Sequence, residues 1–275
     1  MTDNSYHVAT FYTFVPLPDV EEWQLRLRRA CTEHSIKGTI LLAEEGLNAT
    51  ISGSSHGVQA IIDLLASDER FAEMAIKTST YTRRPFKRMK VRVKPEIVTF
   101  GVPDVDPLSR VGTYVKPSAW NDLLEDPDVT VVDTRNDFEV ELGTFANAVN
   151  PNTKSFRDFA TYVDDQLSPE ANPKVALFCT GGIRCEKATS YLLDRGFTDV
   201  YHLDGGILNY LANVDEDQSQ WQGDCFVFDE RVAVTHGVEA SEHPRCQSCG
   251  APFSHDDSLS RDYGRGVCCD HCLHG

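Results

Sequence analysis

No apolar run in this chain approaches the roughly 18 residues that a membrane helix needs. The opening Met1-Thr-Asp-Asn-Ser-Tyr-His7 has neither the basic start nor the apolar core of a secretory signal. Internal repeats, low-complexity tracts and glycine-rich nucleotide-cofactor motifs are also absent. Positive charge is scarce: 26 Lys and Arg face 42 Asp and Glu, a net charge of −16 that argues against indiscriminate nucleic-acid binding. The nine cysteines are an odd number. Without an export signal they point to a reducing cytoplasm, where thiols serve metal or catalysis rather than disulfides. What remains is an ordinary globular composition, 41% hydrophobic and 25% charged, over 275 residues, enough for two or three domains.

One stretch breaks the acidic average. From Arg83 to Lys94 there are seven cations in twelve residues and no acid: Arg83, Arg84, Lys87, Arg88, Lys90, Arg92 and Lys94. From Lys87 to Val93 they alternate with Met89, Val91 and Val93, the period of a strand with one charged face. Such a face suits a phosphate backbone. A solvated edge strand that uses Lys and Arg to block aggregation is the alternative.

The chemistry centres on Cys179-Thr-Gly-Gly-Ile-Arg184, followed directly by Cys185. Val175 to Phe178 is a short apolar run, and Glu186 to Leu193 has helical spacing, so a thiol stands at a strand end before a glycine turn and a helix. A turn of this kind curls backbone N–H groups into an anion cradle, here Thr180, Gly181, Gly182 and Ile183. The Cys179 thiolate is the natural anion, with Arg184 closing the rim. A buried strand-end cysteine that is only a small hydrophobe is the alternative. Cys185 reads either as a thiol that resolves an oxidised Cys179 or as a packing residue of the helix's first turn.

Around these features the chain divides into three. Residues 1–100 alternate strand and helix signals in the βαββαβ order of a ferredoxin-like domain. Strands are expected at His7–Phe14, Thr39–Ala43, Leu47–Ile51 and Ala75–Tyr81; helices run from Asp19, as cap, to His34 and from Ser54/Ser55 to Leu65. Pro95 to Pro107 is a connector in which Ile97 to Phe100 is a candidate strand. Residues 105–215 read as a parallel α/β sheet: a helix capped by Ser118, strands at Thr130–Asp133, Val175–Phe178 and Val200–Leu203, and a helix over 186–194. Residues 216–275 form a C-terminal extension, strand-like over Phe226–Val234 and ending in two Cys-x-x-Cys pairs. Cys246, Cys249, Cys269 and Cys272 have the spacing of a structural zinc knuckle, or are reduced thiols of a loose tail. Two His-x-Asp triplets, His202-Leu-Asp204 and His255-Asp-Asp257, fit part of an iron site but are common by chance. Tyr81, Phe86, Phe156 and Tyr162 are candidate base-stacking aromatics or core.

Asp133-Thr-Arg135, Glu139, Gly143, Ala148-Val-Asn150, the cysteine loop and Val200-x-x-Leu203-x-Gly205-Gly206 together resemble the rhodanese domain. The six-residue Cys-to-Arg loop is that of rhodaneses, whereas related phosphatases have one residue more. Gly143-Thr-Phe-Ala-Asn-Ala148 departs from the usual Gly-His-Ile-Pro-Gly-Ala. Five blocks in order look like the tRNA wobble-uridine hydroxylases: Gly38–Asn48, Arg88–Arg92, Cys179–Lys187, Leu203–Ile207 and Phe226–Val234. The resemblance implies an acylphosphatase-like first domain, a rhodanese second domain and a Cys-rich tail. It also implies an oxidoreductase using molecular oxygen to make 5-hydroxyuridine at position 34 of tRNA, with Cys179 essential and the anticodon arm as partner. The runner-up is a sulfurtransferase carrying a persulfide on Cys179, which has no need of the basic strip. A catalytically idle interaction module fits poorly with an intact Cys179/Arg184 loop.

Overall fold

Alternating apolar positions in the first hundred residues build a sheet, and two amphipathic helices close it. The computed structural model describes residues 5–241 and separates two compact units, the first ending at Thr99 and the second beginning at Phe100. The first contains β1 (Tyr6–Phe14), α1 (Val20–Glu33), β2 (Lys37–Ala43), β3 (Gly46–Gly53), α2 (Ser55–Ala66), β4 (Ile76–Tyr81) and β5 (Met89–Val93). The sheet order is β4-β1-β3-β2-β5. Its first four strands are antiparallel, and β5 adds in parallel to β2. This is the expected ferredoxin-like plan with one more edge strand.

Helix α1 buries Val20, Trp23, Leu27 and Cys31, spaced three or four apart, so one stripe faces the sheet. Helix α2 does the same with Val58, Ile61 and Leu65, while Ile62 stays half-buried. Ser54 caps α2, its hydroxyl accepting from the Gly57 N–H at 3.1 Å. Asp19 does not cap α1 with its side chain. The Arg70 guanidinium takes both its carboxylate oxygens, at 2.6 and 2.8 Å, and a bidentate charged pair outcompetes a single backbone N–H. Nor does Ile97 to Phe100 form a strand. Glu45 Oε1 accepts from the Ile97 N–H at 2.7 Å and Asn48 Nδ2 donates to the Ile97 carbonyl at 3.0 Å, so side chains satisfy the groups a strand neighbour would have used.

The second unit runs β6 (Thr113–Val115), α3 (Pro117–Glu125), β7 (Val129–Asp133), α4 (Asp137–Val140), β8 (Gly143–Phe145), α5 (Asp158–Gln166), β9 (Lys174–Phe178), α6 (Ile183–Asp194), β10 (Asp199–Leu203) and α7 (Gly206–Asn213). After these come three short strands, β11 (Trp221–Gly223), β12 (Cys225–Phe226) and β13 (Ala233–Val234). Parallel strands in the order β6-β10-β9-β7 make the main sheet. Helix α3 starts at Pro117 with Lys116 as cap, not at Ser118, because proline's fixed φ suits the first helical position. Helix α6 starts at Ile183, three residues before the expected 186, which brings Arg184 and Cys185 into its first turn.

Chain beyond residue 213 stays with this unit: β11 pairs antiparallel with β8, and β12 with β13. The Phe226–Val234 segment is therefore two short strands flanking a turn rather than one strand. Gly143 faces β11 so closely that a Cβ there would lie 2.5 Å from the Gln222 carbonyl oxygen. Phe145 in β8 is a hub, its ring 4.9 Å from Phe178, 4.7 Å from Tyr210 and 5.1 Å from Trp221. That packing explains why a phenylalanine stands in the departing Gly143–Ala148 segment. Among the described residues no helix is long and apolar enough to cross a membrane.

Candidate active site

Strand β9 ends at Phe178, and Cys179 follows at the carboxyl end of the parallel sheet, where open α/β sheets place their sites. The next turn is held from behind by the start of α7. The Ile207 N–H donates to the Cys179 carbonyl at 2.9 Å and the Leu208 N–H to the Thr180 carbonyl at 3.0 Å. Gly206 makes this approach possible. Its φ is +68°, and a Cβ there would sit 2.5 Å from the Cys179 carbonyl oxygen. Gly182 turns the chain into α6 at φ +102° and donates its N–H to Cys179 Sγ at 3.1 Å.

Cys179 is fully buried at the floor of this cradle. Burial alone pushes its thiol pKa up. Against that, a hydrogen bond from the Cys185 thiol, the Arg184 charge and the N–H groups of Cys185 and Gly182 hold it well below the ordinary thiol value. Cys185 moves the other way: burial, then the hydrogen bond to Cys179 and its charge, keep it protonated. Its sulfur also lies 3.7 Å from Thr134 Oγ1. The first turn of α6 thus supplies the thiolate with both an N–H and an S–H donor. Of the four cradle residues, Gly182 reaches the sulfur through its N–H. The Thr180 hydroxyl is 3.4 Å from Glu139 Oε2 and 3.3 Å from Arg184 Nη2.

Arg184 commits both Nη groups to a buried partner. Both forks are taken by Glu139, Nη1 to Oε1 at 2.6 Å and Nη2 to Oε2 at 2.8 Å, with both side chains buried. Burial raises the Glu139 pKa, but the two guanidiniums of Arg184 and Arg135 outweigh it and hold the carboxyl below its usual range. Glu139 comes from α4, which is anchored by a second buried pair. Arg135 clasps Asp133 at 2.6 and 2.9 Å and donates onward to the carbonyls of Gly143 at 2.6 Å and Glu139 at 3.3 Å. Two carboxylates balance two guanidiniums, so the thiolate is a further charge, met by the Cys185 S–H and the Arg184 charge and then by the N–H groups of Cys185 and Gly182. Sequence reasoning placed Glu139 in a motif without a role; the signal is an Asp-x-Arg pair followed by Glu four residues after the Arg.

The other candidates belong to other elements. All seven cations of the basic strip are exposed. In the first unit β5 is an edge strand whose Val91 carbonyl accepts from Gln24 Nε2 and Arg28 Nη2, each at 3.0 Å. Arg28, which the sequence strip does not include, joins Lys90 and Arg92 around a cavity of about 400 Å³ between α1 and β5. Phe156 is buried against Phe100 at 4.8 Å, so it is core and not a stacking surface. Tyr162 packs against Phe159 at 5.8 Å, and Tyr81 lies under the Arg83 guanidinium at 5.7 Å. His202 is buried beneath the Tyr114 ring, 4.2 Å away. Cys246, Cys249, Cys269, Cys272 and His255 lie outside the described residues. Among the described residues no group of three or more His, Cys, Asp or Glu side chains is placed to hold a metal ion.

Residues 6–97 match the model of the UPF0176 acylphosphatase like domain and residues 116–213 that of the rhodanese-like domain. Both expected domain types are therefore present. Over 266 residues the chain is 54% identical to a protein of Picosynechococcus sp. named tRNA uridine(34) hydroxylase, covering 97% of this chain and 89% of that one. A protein of the same name from Acaryochloris marina is 52% identical over 269 residues, 98% and 87% of the two chains.

The site yields two expectations. Difference ultraviolet titration of wild type against Cys179→Ala shows a thiolate persisting below the ordinary thiol range. Arg184→Gln shifts that titration upward, because an opposite charge has been removed. Glu139→Ala leaves Arg184 buried without its partner and lowers unfolding stability by about 3–5 kcal/mol, measured by denaturant melts. The sign with pH follows from the depressed carboxyl: the pair's contribution is full above the unfolded glutamate value and is lost as pH falls through Glu139's lower folded value. The Glu139→Gln melt lacks that acid limb.

Proposed function

The chain belongs to the tRNA uridine(34) hydroxylase family, and on that premise we propose that it converts the wobble uridine of tRNA to 5-hydroxyuridine with Cys179 as nucleophile. The observation that carries the assignment of Cys179 is a buried sulfur whose pKa is held down by two N–H groups, an S–H and the Arg184 charge. Uridine C5 is unreactive until a nucleophile adds to C6 and makes C5 an enolate carbon. A low-pKa thiolate in a dry cradle is suited to that addition.

In the first step Cys179 Sγ bonds to C6, and the electron pair of the C5–C6 double bond moves onto C5 and its carbonyl. C5 captures molecular oxygen to give a C5 hydroperoxide after protonation. An external two-electron donor of the thiol class cleaves the O–O bond, leaving a C5 hydroxyl and releasing water. Loss of the C5 proton then expels the Cys179 thiolate and restores the double bond. Cys185 keeps the leaving sulfur hydrogen-bonded. Should Cys179 be oxidised to a sulfenic acid, the Cys185 thiol displaces water from it to form a disulfide that external thiol reduces. Arg184 acts through its charge on the thiolate, since its hydrogen-bonding fork is held by Glu139.

Arg83, Arg84, Lys87, Arg88, Lys90 and Arg92 supply the phosphate contacts to the anticodon arm, with Arg28 beside them. They concentrate positive charge in one stretch of a chain whose net charge would otherwise repel RNA.

Nucleoside mass spectrometry of tRNA from cells with wild-type protein, Cys179→Ala or no protein tests the reading. 5-Hydroxyuridine and its derivatives appear with wild type alone. Unchanged 5-hydroxyuridine with a fall in 2-thiouridine makes Cys179 a sulfur carrier and overturns it. In binding titrations, Lys90→Ala with Arg92→Ala weakens tRNA binding whatever the anticodon sequence. The same pair reduces the slope of log affinity on log salt by about 1 for each phosphate left without its cation; an unchanged slope removes these residues from the interface.

A further inference from the structure

The turn between β12 and β13 lies past residue 213, where the rhodanese-like match ends, and none of the chemistry above uses it. Its sequence is Val227-Phe-Asp-Glu-Arg-Val232, and every residue in it is buried except Phe228 and Glu230. Phe228 is 64% exposed, one of the most exposed large apolar residues among those described. Flexibility does not account for that exposure. Asp229 and Arg231, on its C-terminal side, form a buried pair: Nη2 to Oδ2 at 2.6 Å, Nε to Oδ1 at 2.9 Å, and the Arg231 N–H to Oδ1 at 3.0 Å. The turn closes through the Val227 N–H donating to the Val232 carbonyl at 2.8 Å. Val232 sits at φ +68°, a conformation that a β-branched residue holds only when its surroundings impose it. The fold thus stiffens a turn and leaves one aromatic ring in water at its tip.

The ring is connected to the active site by packing. Phe228 meets Phe226 edge to face at 4.9 Å, and Phe226 meets Phe138 in the same way at 5.2 Å. Phe138 is in α4, next to Glu139, whose carboxylate holds Arg184. One side of α4 therefore sets the charge beside Cys179, and the neighbouring residue supports the aromatic ladder that ends at Phe228. Arg231 is tied to Asp229, so the guanidinium beside the ring is engaged within the turn and the phenyl ring is what the tip presents. An exposed phenyl ring on a rigid support offers a π-face, which any nucleobase can use.

We propose that Phe228 is a stacking platform for an unpaired anticodon nucleobase next to the uridine that enters the Cys179 cradle. The inference rests on the tRNA reading above and adds the residue that receives the neighbouring base. It also gives the segment after the rhodanese-like match a role that a sulfurtransferase acting on a small acceptor would not need.

The test uses the full chain and tRNA carrying an unmodified wobble uridine. Trp23, Trp120 and Trp221 are buried and are the only tryptophans in the sequence, so a Phe228→Trp protein carries a single exposed indole. Acrylamide quenches that indole in the free protein. tRNA both quenches its emission and shields it from acrylamide, whereas a tRNA lacking the anticodon loop does neither. Phe228→Ala weakens tRNA binding and raises KM by about 5- to 150-fold, the span that one missing base stack covers. Phe228→Tyr restores both, and the Cys179 titration is unchanged in either variant. Wild-type KM in the Phe228→Ala protein, or an indole indifferent to tRNA, overturns the proposal. So does an indole already inaccessible to acrylamide without RNA, which means that residues of this chain cover the ring. Loss of fold in Phe228→Ala is read from its melt, and the Phe228→Trp measurement then decides alone. Wild-type protein with no hydroxylation at all is a different failure and strikes the reading on which this one rests.

Discussion

A thiolate with no water around it must be stabilised by whatever the protein places in contact with it, and that requirement organises the second unit. Cys179 is fully buried, and burial by itself would keep it protonated. The Cys185 thiol, the Arg184 charge and the N–H groups of the first turn of α6 together reverse that, and the Glu139–Arg184 pair keeps the charge in place. Without Glu139 the Arg184 guanidinium would be an unpaired buried charge; with it the guanidinium is held where its charge still reaches the sulfur. Glu139 in turn depends on Arg135 and Asp133, which fix the short α4 and the start of β8. A chain of buried ion pairs therefore runs from the end of β7 to the cysteine loop, and the loop's glycines complete the cradle.

On the proposed reading the two units divide the labour of an RNA-modifying enzyme along physical lines. Chemistry on a pyrimidine ring calls for low dielectric and fixed donors, which a parallel sheet provides beyond its strand ends. Phosphate contacts call for exposed, hydrated cations, which suit the edge strand β5. The same alternation that exposes Lys90 and Arg92 buries Val91, so β5 closes the sheet while displaying charge. Gln24 and Arg28 cap its Val91 carbonyl, which also blunts the edge against pairing with another chain. The two explanations offered by the sequence for this strip, edge protection and nucleic-acid contact, both rest on its exposed Lys and Arg side chains and are compatible.

Much was legible from the amino-acid sequence, because the signals concerned are local. Alternation and amphipathic spacing marked β1 to β4 and both helices of the first unit, and the Cys-Thr-Gly-Gly-Ile-Arg turn announced a cradle for an anion. Where local reading and structure part company, a residue distant in sequence intervenes. Asp19 is a cap by type, but Arg70, fifty-one residues on, takes its carboxylate. Ile97 to Phe100 is strand-like in composition, yet Glu45 and Asn48 claim its backbone groups. Phe156 is an aromatic like any other until Phe100 covers it.

By itself the sequence determined the place of the strand-end sulfur and the one basic strip, which follow from residue type and period, while its resemblance to known families carried the domain types. Only the tertiary structure decided that Arg184 is committed to Glu139 instead of to an incoming anion, that Cys185 serves the thiolate as a donor, and that Phe228 stands in water on a stiff turn. Those facts depend on which side chains meet across long stretches of chain, and burial then fixes their charges. No period or motif within a short window carries that information.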